Sequence, residues 1–399
     1  MNDLKYRPWQ KLRFVFTASS LFLLSAIHFV FPGHARAQLS TSDHLQDPGF
    51  WPTRMYSSLE EFAGFAVCAQ CHKEISTSQR MTPMARTLSR ADGSAVLREH
   101  PELGFDHREY KFRISTANGK SIYSVSNGKE KISALLAWAF GLGHVGQSYL
   151  YERDGAWQES RSTYFPTLND LEFTPTRALD SPRDVAEAMA RPLGAEEMRR
   201  CFQCHATGVT TQPILEQTQF TNGLSCEACH GPGAKHVAAK RAEKLQQGEV
   251  SGAGGGEFIF NARTLSPGDS VDFCGSCHAT WWDVKLTNLR GVPSVRSQPY
   301  RLQNSKCWGT GDARITCVAC HDPHQQLEKR SELYDRKCLA CHADGKNEAP
   351  TATHPGKACR VATSKCSSCH MPKIEIPEMH YAFTDHDIRV VQAGKPLPD

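Results

Sequence analysis

The chain has 399 residues, of which 40% are hydrophobic, 22% are charged and 16 are cysteine. Lys and Arg number 46 against 42 Asp and Glu, an excess that is no evidence for nucleic-acid binding. So many cysteines direct the reading to disulfide, metal or cofactor chemistry; 29 Gly and 22 Pro predict many turns and few long elements.

At the N-terminus, Lys5, Arg7, Lys11 and Arg13 precede an apolar run from Phe14 to Phe31. Ala35-Arg36-Ala37 then has the small-x-small form of a cleavage site. Residues 1–37 therefore read as an export signal; the alternative is a retained anchor, since about 18 apolar residues just reach across a bilayer. Cleavage removes five basic residues (Lys5, Arg7, Lys11, Arg13, Arg36) and one acid (Asp3), leaving 41 of each sign. No later run has spanning length, so the mature chain is expected in the periplasm or medium, with no membrane span and no nucleic-acid partner.

Residues 38–104 form an N-terminal segment around Cys68-Ala69-Gln70-Cys71-His72. Residues 105–180 read as a β-rich insertion. Tyr110-Lys111-Phe112-Arg113-Ile114 alternates, Asn118-Gly119 and Asn127-Gly128 are hairpin turns, and Asp154-Gly155 divides an alternating pair between Tyr149 and Phe165. Helix-forming composition follows over Asp184 to Arg200, and again from His236 to Gln247 before the glycine-rich stretch Gly248 to Gly256. Residues 181–399 then hold six further copies of the motif that opened at Cys68.

That motif is C-x-x-C-H, and it occurs seven times: Cys68-Cys71-His72, Cys201-Cys204-His205, Cys226-Cys229-His230, Cys274-Cys277-His278, Cys317-Cys320-His321, Cys338-Cys341-His342 and Cys366-Cys369-His370. The spacing lets two thiols add across the vinyl groups of one haem while the adjacent histidine binds its iron. Chance would place on the order of 0.03 copies in a chain of this composition. Zinc ribbons pair C-x-x-C units into four ligands, so an odd number of units that each end in His is foreign to them. A disulfide framework needs no such histidine. Seven c-type haems are therefore expected. The gaps between successive first cysteines are 133, 25, 48, 43, 21 and 28 residues, which excludes a fixed-period solenoid. With so little polypeptide per macrocycle, the expected fold is mainly α with little regular structure, a multihaem cytochrome fold, and only a small antiparallel β-section between haems 1 and 2. Two cysteines remain, Cys307 and Cys359, an even remainder that reads as one disulfide or as two free thiols.

Sixth iron ligands are sought among the other histidines. His236 follows His230 by six residues and His324 follows His321 by three. Axial nitrogens approach an iron from opposite faces, so each of these histidines is expected to serve a neighbouring haem. His354, His380 and His386 flank the seventh motif, His144 stands in a glycine-rich run, and His107 lies on a predicted strand. No histidine follows the first motif closely. Met84, in Met81-Thr82-Pro83-Met84, is the candidate there, with a gap-filling thioether as the alternative.

Cys226-Glu227-Ala228-Cys229-His230-Gly231-Pro232-Gly233-Ala234-Lys235-His236 resembles the C-x-x-C-H-G-P-G-x-x-H signature of multihaem cytochromes. Those include the cytochrome c-554/c-prime type, cytochrome c nitrite reductase and hydroxylamine oxidoreductase. Cys317 to His324, and Cys366 to Lys373 with His380 and His386, are similar to the same group. The resemblance implies closely stacked haems with mainly bis-histidine ligation, and distal roles for His236 and His324. The chain departs from nitrite reductase in having no C-x-x-C-K motif, and from hydroxylamine oxidoreductase in having seven motifs instead of eight and no matching crosslinking tyrosine. An electron carrier between redox partner proteins is therefore favoured over an enzyme, with no catalytic residue assigned. The alternatives are an oxidoreductase acting on a small nitrogen or sulfur oxyanion, or a subunit of a haem filament; the oligomeric state is open.

Overall fold

The computed structural model describes residues 57–178, 181–209, 220–247, 258–308, 314–342, 359, 361–392, 394 and 397. The export signal, the glycine-rich stretch 248–256 and His354 lie outside the described residues. Two short helices come first: α1 (Phe65–Cys71) carries the first motif and α2 (Lys73–Gln79) follows it. Strand β1 (Leu88–Arg90) and helix α3 (Ala95–Glu99), capped by Ser94, lead into the sheet.

The sheet is the main correction to the sequence reading. In place of a small β-section in a mainly helical fold, the chain builds a nine-stranded antiparallel sheet. Strands β2 (Glu102–His107), β3 (Tyr110–Ala117), β4 (Lys120–Ser126), β5 (Lys131–Phe140), β6 (Gln147–Arg153), β7 (Ala156–Phe165) and β8 (Asp170–Phe173) pair in sequence order. β1 extends the far half of β5, and β9 (Ala190–Pro192) pairs with the start of β7. Asn118-Gly119 and Asp154-Gly155 each place both turn residues at positive φ, the geometry whose twist suits a two-residue hairpin. Register shifts at Leu136/Trp138 and Ser148/Leu150 interrupt the central pairings, and irregularities of this kind bend a sheet. The sheet curls until β8 meets β2: Gly104 N donates to Asp170 Oδ1 at 2.6 Å, and Phe105 and Phe173 rings meet edge to face. Alternation was legible strand by strand, but near-closure depends on bulges and end contacts that alternation does not encode.

Inside lie Leu97, Phe112, Ile114, Tyr123, Val125, Tyr149 and Tyr151, joined by Val185 and Met189 from helix α4 (Val185–Met189). The single helix expected over Asp184 to Arg200 is divided. Asp184 caps α4, the chain extends through β9, and α5 (Ala195–His205) begins after Gly194. Pro192 accounts for the break, because it holds the residue before it in the β region, and Arg191 accordingly pairs with Glu159. A second cluster (Leu88, Trp138, Leu150, Met198, Phe202) joins α5 to the sheet.

Short helices carry the rest. After the β10 (Ala206–Thr207) and β11 (Thr221–Asn222) pair come α6 (Cys226–His230), α7 (Ala234–Gln247), α8 (Pro267–His278), α9 (Trp281–Thr287), α10 (Gln298–Gln303), α11 (Cys317–Cys320), α12 (Glu332–His342) and α13 (Cys366–His370). A hairpin of β12 (Lys373–Ile376) and β13 (Tyr381–Thr384) follows. α7 matches the helix expected from His236 to Gln247. Caps set several starts: Ser266 accepts from Asp269 N on α8, and Thr280 and Asp283 form a capping box on α9. Buried residues in this half are largely polar, among them Asp269, Asp272, Ser276, Arg301, Asp335, Asp385 and Asp387.

One glycine locks the motif region to the N-terminal segment. Gly223 has φ +74°, and a Cβ there would lie 1.9 Å from the Ala85 carbonyl oxygen. Gly223→Ala is expected to lower stability by about 2–3 kcal/mol. Gly119→Ala, at φ +72° with nothing near its Cβ position, should cost about 1 kcal/mol. Thermal unfolding of the two variants checks the difference, and equal losses would contradict it.

Candidate metal and cofactor centres

All seven motifs share one local geometry. The two cysteines lie on a helix three positions apart, hence on one face, and the histidine is the last helical residue or the one after it. A single helical turn thereby presents two thiols and an imidazole together, the donor set a covalently attached haem requires. A cavity of about 390 Å³ borders one such set, lined by Cys277, His278, Asp283, Thr287 and Arg296.

Four of the seven motif imidazoles, with His386 and His324, have a partner at Nδ1. His230 Nδ1 donates to Phe260 O at 2.8 Å, His370 Nδ1 to Arg389 O at 2.8 Å and His386 Nδ1 to Thr384 O at 3.0 Å, while His205 Nδ1 lies 2.8 Å from Thr87 Oγ1 and 3.2 Å from Thr87 O. Tyr334 spends its single proton on Glu328 O, so its oxygen accepts from His321 Nδ1 at 3.4 Å. His324 Nδ1 lies 3.3 Å from Asp322 Oδ1. A proton on Nδ1 leaves the lone pair on Nε2, and a partner on Nδ1 fixes the ring that offers it. Burial pushes His205, His278 and His321 below the ordinary histidine range, and His386 down to about 4. These rings are thus neutral at pH 7, the state a metal binds.

Two pairs of these rings lie close together. His230 and His324 have centroids 6.1 Å apart and planes within 5°; His321 and His386 lie 6.2 Å apart at 46°. Two imidazoles bound end-on to opposite sides of one metal, at about 2.0–2.1 Å each, have centroids about 6.3 Å apart. Both centroid separations match that value.

The other predicted ligands are placed differently. His107, on β2, packs edge-on against Phe173, and its buried Nε2 has no hydrogen-bond partner among the described residues. His144 is exposed on the turn between β5 and β6. There Gly143 serves packing, since a Cβ would lie 2.5 Å from Val96 Cγ2. His380, at φ 47°, stands edge-on to Phe165 at 4.9 Å. His236 is half-buried on α7, and Met84 is half-buried with its carbonyl accepting from Leu224 N at 3.0 Å. Cys307 is half-buried and Cys359 exposed.

The motifs also meet one another. The first cysteines pair by thiol hydrogen bonds, Cys68 with Cys226, Cys274 with Cys317 and Cys338 with Cys366. Cys204 Sγ reaches Ser276 O at 3.8 Å, joining the second motif to the fourth. Buried carboxylates clamp two of the pairs. Glu227, inside the third motif, accepts from Ala63 N at 2.7 Å, Gly64 N at 2.9 Å and Gly233 N at 2.8 Å, at the start of α1. Asp335, three residues before Cys338, accepts from Lys365 N at 2.6 Å and Cys366 N at 2.8 Å at the start of α13. The backbone N–H of Cys366 beside it, with that of Lys365, holds the Asp335 carboxyl below the usual range. Neither acid was singled out from sequence. The one signal was an acid in or just before a motif, which does not reveal its partner.

Helical C-x-x-C-H units with imidazoles presented through Nε2 define the class: the chain is a multihaem c-type cytochrome that binds haem c. The cytochrome c554 and c-prime family matches residues 174–231. The multiheme cytochrome MtrA of Shewanella baltica is 25% identical over 235 residues, covering 55% of this chain and 56% of that protein. The C-type polyheme cytochrome OmcB of Geobacter sulfurreducens is 26% identical over 147 residues, covering 31% of this chain and 19% of that protein. The chain thus spans about half or less of the length of these relatives. No solved structure matches it. No helix among the described residues is long and apolar enough to cross a membrane.

Glu227→Ala leaves three backbone donors at the α1–α6 contact without their acceptor, and is expected to cost on the order of 3 kcal/mol. Denaturant unfolding of the matured protein checks this, and an unchanged midpoint would contradict it.

Proposed function

We propose that the chain is an exported heptahaem cytochrome that relays electrons between redox partner proteins. In this reading the fourteen motif cysteines form thioethers and His72, His205, His230, His278, His321, His342 and His370 are the proximal ligands. Haem supplies a one-electron iron couple whose potential follows from its axial ligands. His324 stands opposite His230, and His386 opposite His321. The remaining distal positions are drawn from Met84, His107, His144, His236, His354 and His380.

The two facing histidine pairs carry the proposal. Each joins segments from different motifs: His324 follows the fifth motif and faces the third, while His386 follows the seventh and faces the fifth. An iron with both axial positions filled exchanges electrons but leaves a small substrate nowhere to coordinate, which favours relay over catalysis. The cross-motif thiol contacts support close spacing of the centres, as a relay needs. The largely polar burial of the C-terminal half supports macrocycles as its apolar packing material.

Residues 1–37 act as the export signal, so that haem attachment and the Cys307–Cys359 disulfide form in an oxidising compartment. The mature chain then comprises an N-terminal segment (38–104) with haem 1, a β-rich region (105–180) and a hexahaem part (181–399).

Carbon monoxide added to the fully reduced, matured protein tests the carrier reading. No haem should shift its Soret band in the wild type, whereas His324→Ala should open one iron in seven. Stoichiometric binding at one wild-type haem would overturn the carrier reading in favour of an oxidoreductase.

A further inference from the structure

Three buried charged side chains, Arg301, Asp385 and Asp387, and the largely covered Arg389 lie around His386. Arg301, on α10, is 2% exposed and Asp385 is 0% exposed. Arg301 places Nε 2.8 Å from Asp385 Oδ1 and Nη2 2.9 Å from Asp385 Oδ2, a two-pronged pair, and reaches Asp387 Oδ2 at 3.4 Å. Arg389 Nη1 donates to Asp385 Oδ2 and to the Asp387 carbonyl, both at 2.7 Å. Asp387 N closes on Asp385 Oδ1 at 3.0 Å.

Burying charges is costly, and apolar side chains of the same volume often hold a fold as well or better. Their distinct contribution is geometric, since a planar guanidinium meeting a carboxylate through two bonds fixes distance and angle together. Two consequences follow here. Asp385 and Asp387 are both drawn to Arg301, so the histidine between them is directed elsewhere; its ring lies 6.2 Å from His321, with Nδ1 tied to Thr384 O. On the other side of the cluster, Arg389 is bonded twice to the seventh motif. Its N–H donates to His370 O at 3.2 Å, and its carbonyl accepts from His370 Nδ1 at 2.8 Å.

We propose that Arg301 is a positioning residue for two iron ligands: it sets His386 opposite His321 through Asp385 and Asp387, and orients His370 through Arg389. This rests on the reading of His386 and His370 as haem ligands. A helix outside every C-x-x-C-H motif thereby governs the ligation of the fifth and seventh.

The test compares matured wild type, Arg301→Gln, Arg301→Lys, Asp387→Asn and His386→Ala, each with its haem content verified by mass. The readouts are the number of irons per chain that bind carbon monoxide when reduced, and the low-spin EPR signals when oxidised. Arg301→Gln is expected to convert one of seven haems to a carbon-monoxide-binding, high-spin form. His386→Ala should convert the same one, and the double variant no more than one. Arg301→Lys, which keeps the charge without the two-pronged geometry, should convert a smaller fraction. If Arg301→Gln does not mature, Arg301→Lys and Asp387→Asn carry the test, each expected above the wild-type value. Wild-type spectra in every Arg301 and Asp387 variant that matures, while His386→Ala opens a site, would overturn the proposal. If His386→Ala opens no site, the ligand assignment fails instead, and the positioning role with it.

Discussion

A metal-ligating imidazole almost always has its other nitrogen held, and several histidines of this molecule meet that condition. His230, His370 and His386 give Nδ1 to backbone carbonyls, His205 holds it against Thr87, His321 gives it to a tyrosine oxygen, and His324 turns it to a carboxylate. Several acceptors come from distant stretches of chain. Thr87 stands 118 residues before His205, and Phe260 stands 30 after His230. Much of the tertiary structure outside the sheet can be understood as bringing these acceptors to the motifs. His100 shows the opposite case: its Nε2 meets the Tyr164 hydroxyl at 3.2 Å, which ties up the nitrogen the others leave available.

The two halves of the fold are stabilised in different ways. The sheet has a conventional interior in which β3 alternates Tyr110, Phe112 and Ile114 inward with Lys111 and Ser115 outward. The motif-rich half is joined by buried acids acting on backbone N–H groups and on arginine: Glu227 at α1, Asp335 at α13, and Asp385 with Asp387 on Arg301. Such contacts are short in reach and specific in direction. They hold helices of five to eleven residues in place where there is little apolar surface to do so.

What could be read in advance follows the same division. C-x-x-C-H is a local chemical pattern, so the class of protein was visible in it. Asn118-Gly119 and Asp154-Gly155 announced their hairpins because their backbone geometry is local too. The nearly closed nine-stranded sheet was not visible, because closure rests on the Gly104–Asp170 contact and on register shifts in β5 and β6. Pro192 breaks a stretch whose composition is otherwise helix-forming. The clamps of Glu227 and Asp335 and the role of Arg301 were hidden, since a buried ion pair looks in sequence like any surface charge until its partner is known.

Covalent haem attachment at every motif is the central claim to test. The direct measurement is the intact mass of the chain, produced in a host that matures c-type cytochromes, followed by mapping of haem-bearing peptides. Seven haem additions, one on each C-x-x-C-H peptide, are predicted. A mass with fewer additions, or a motif peptide recovered with both cysteines unmodified, would contradict it.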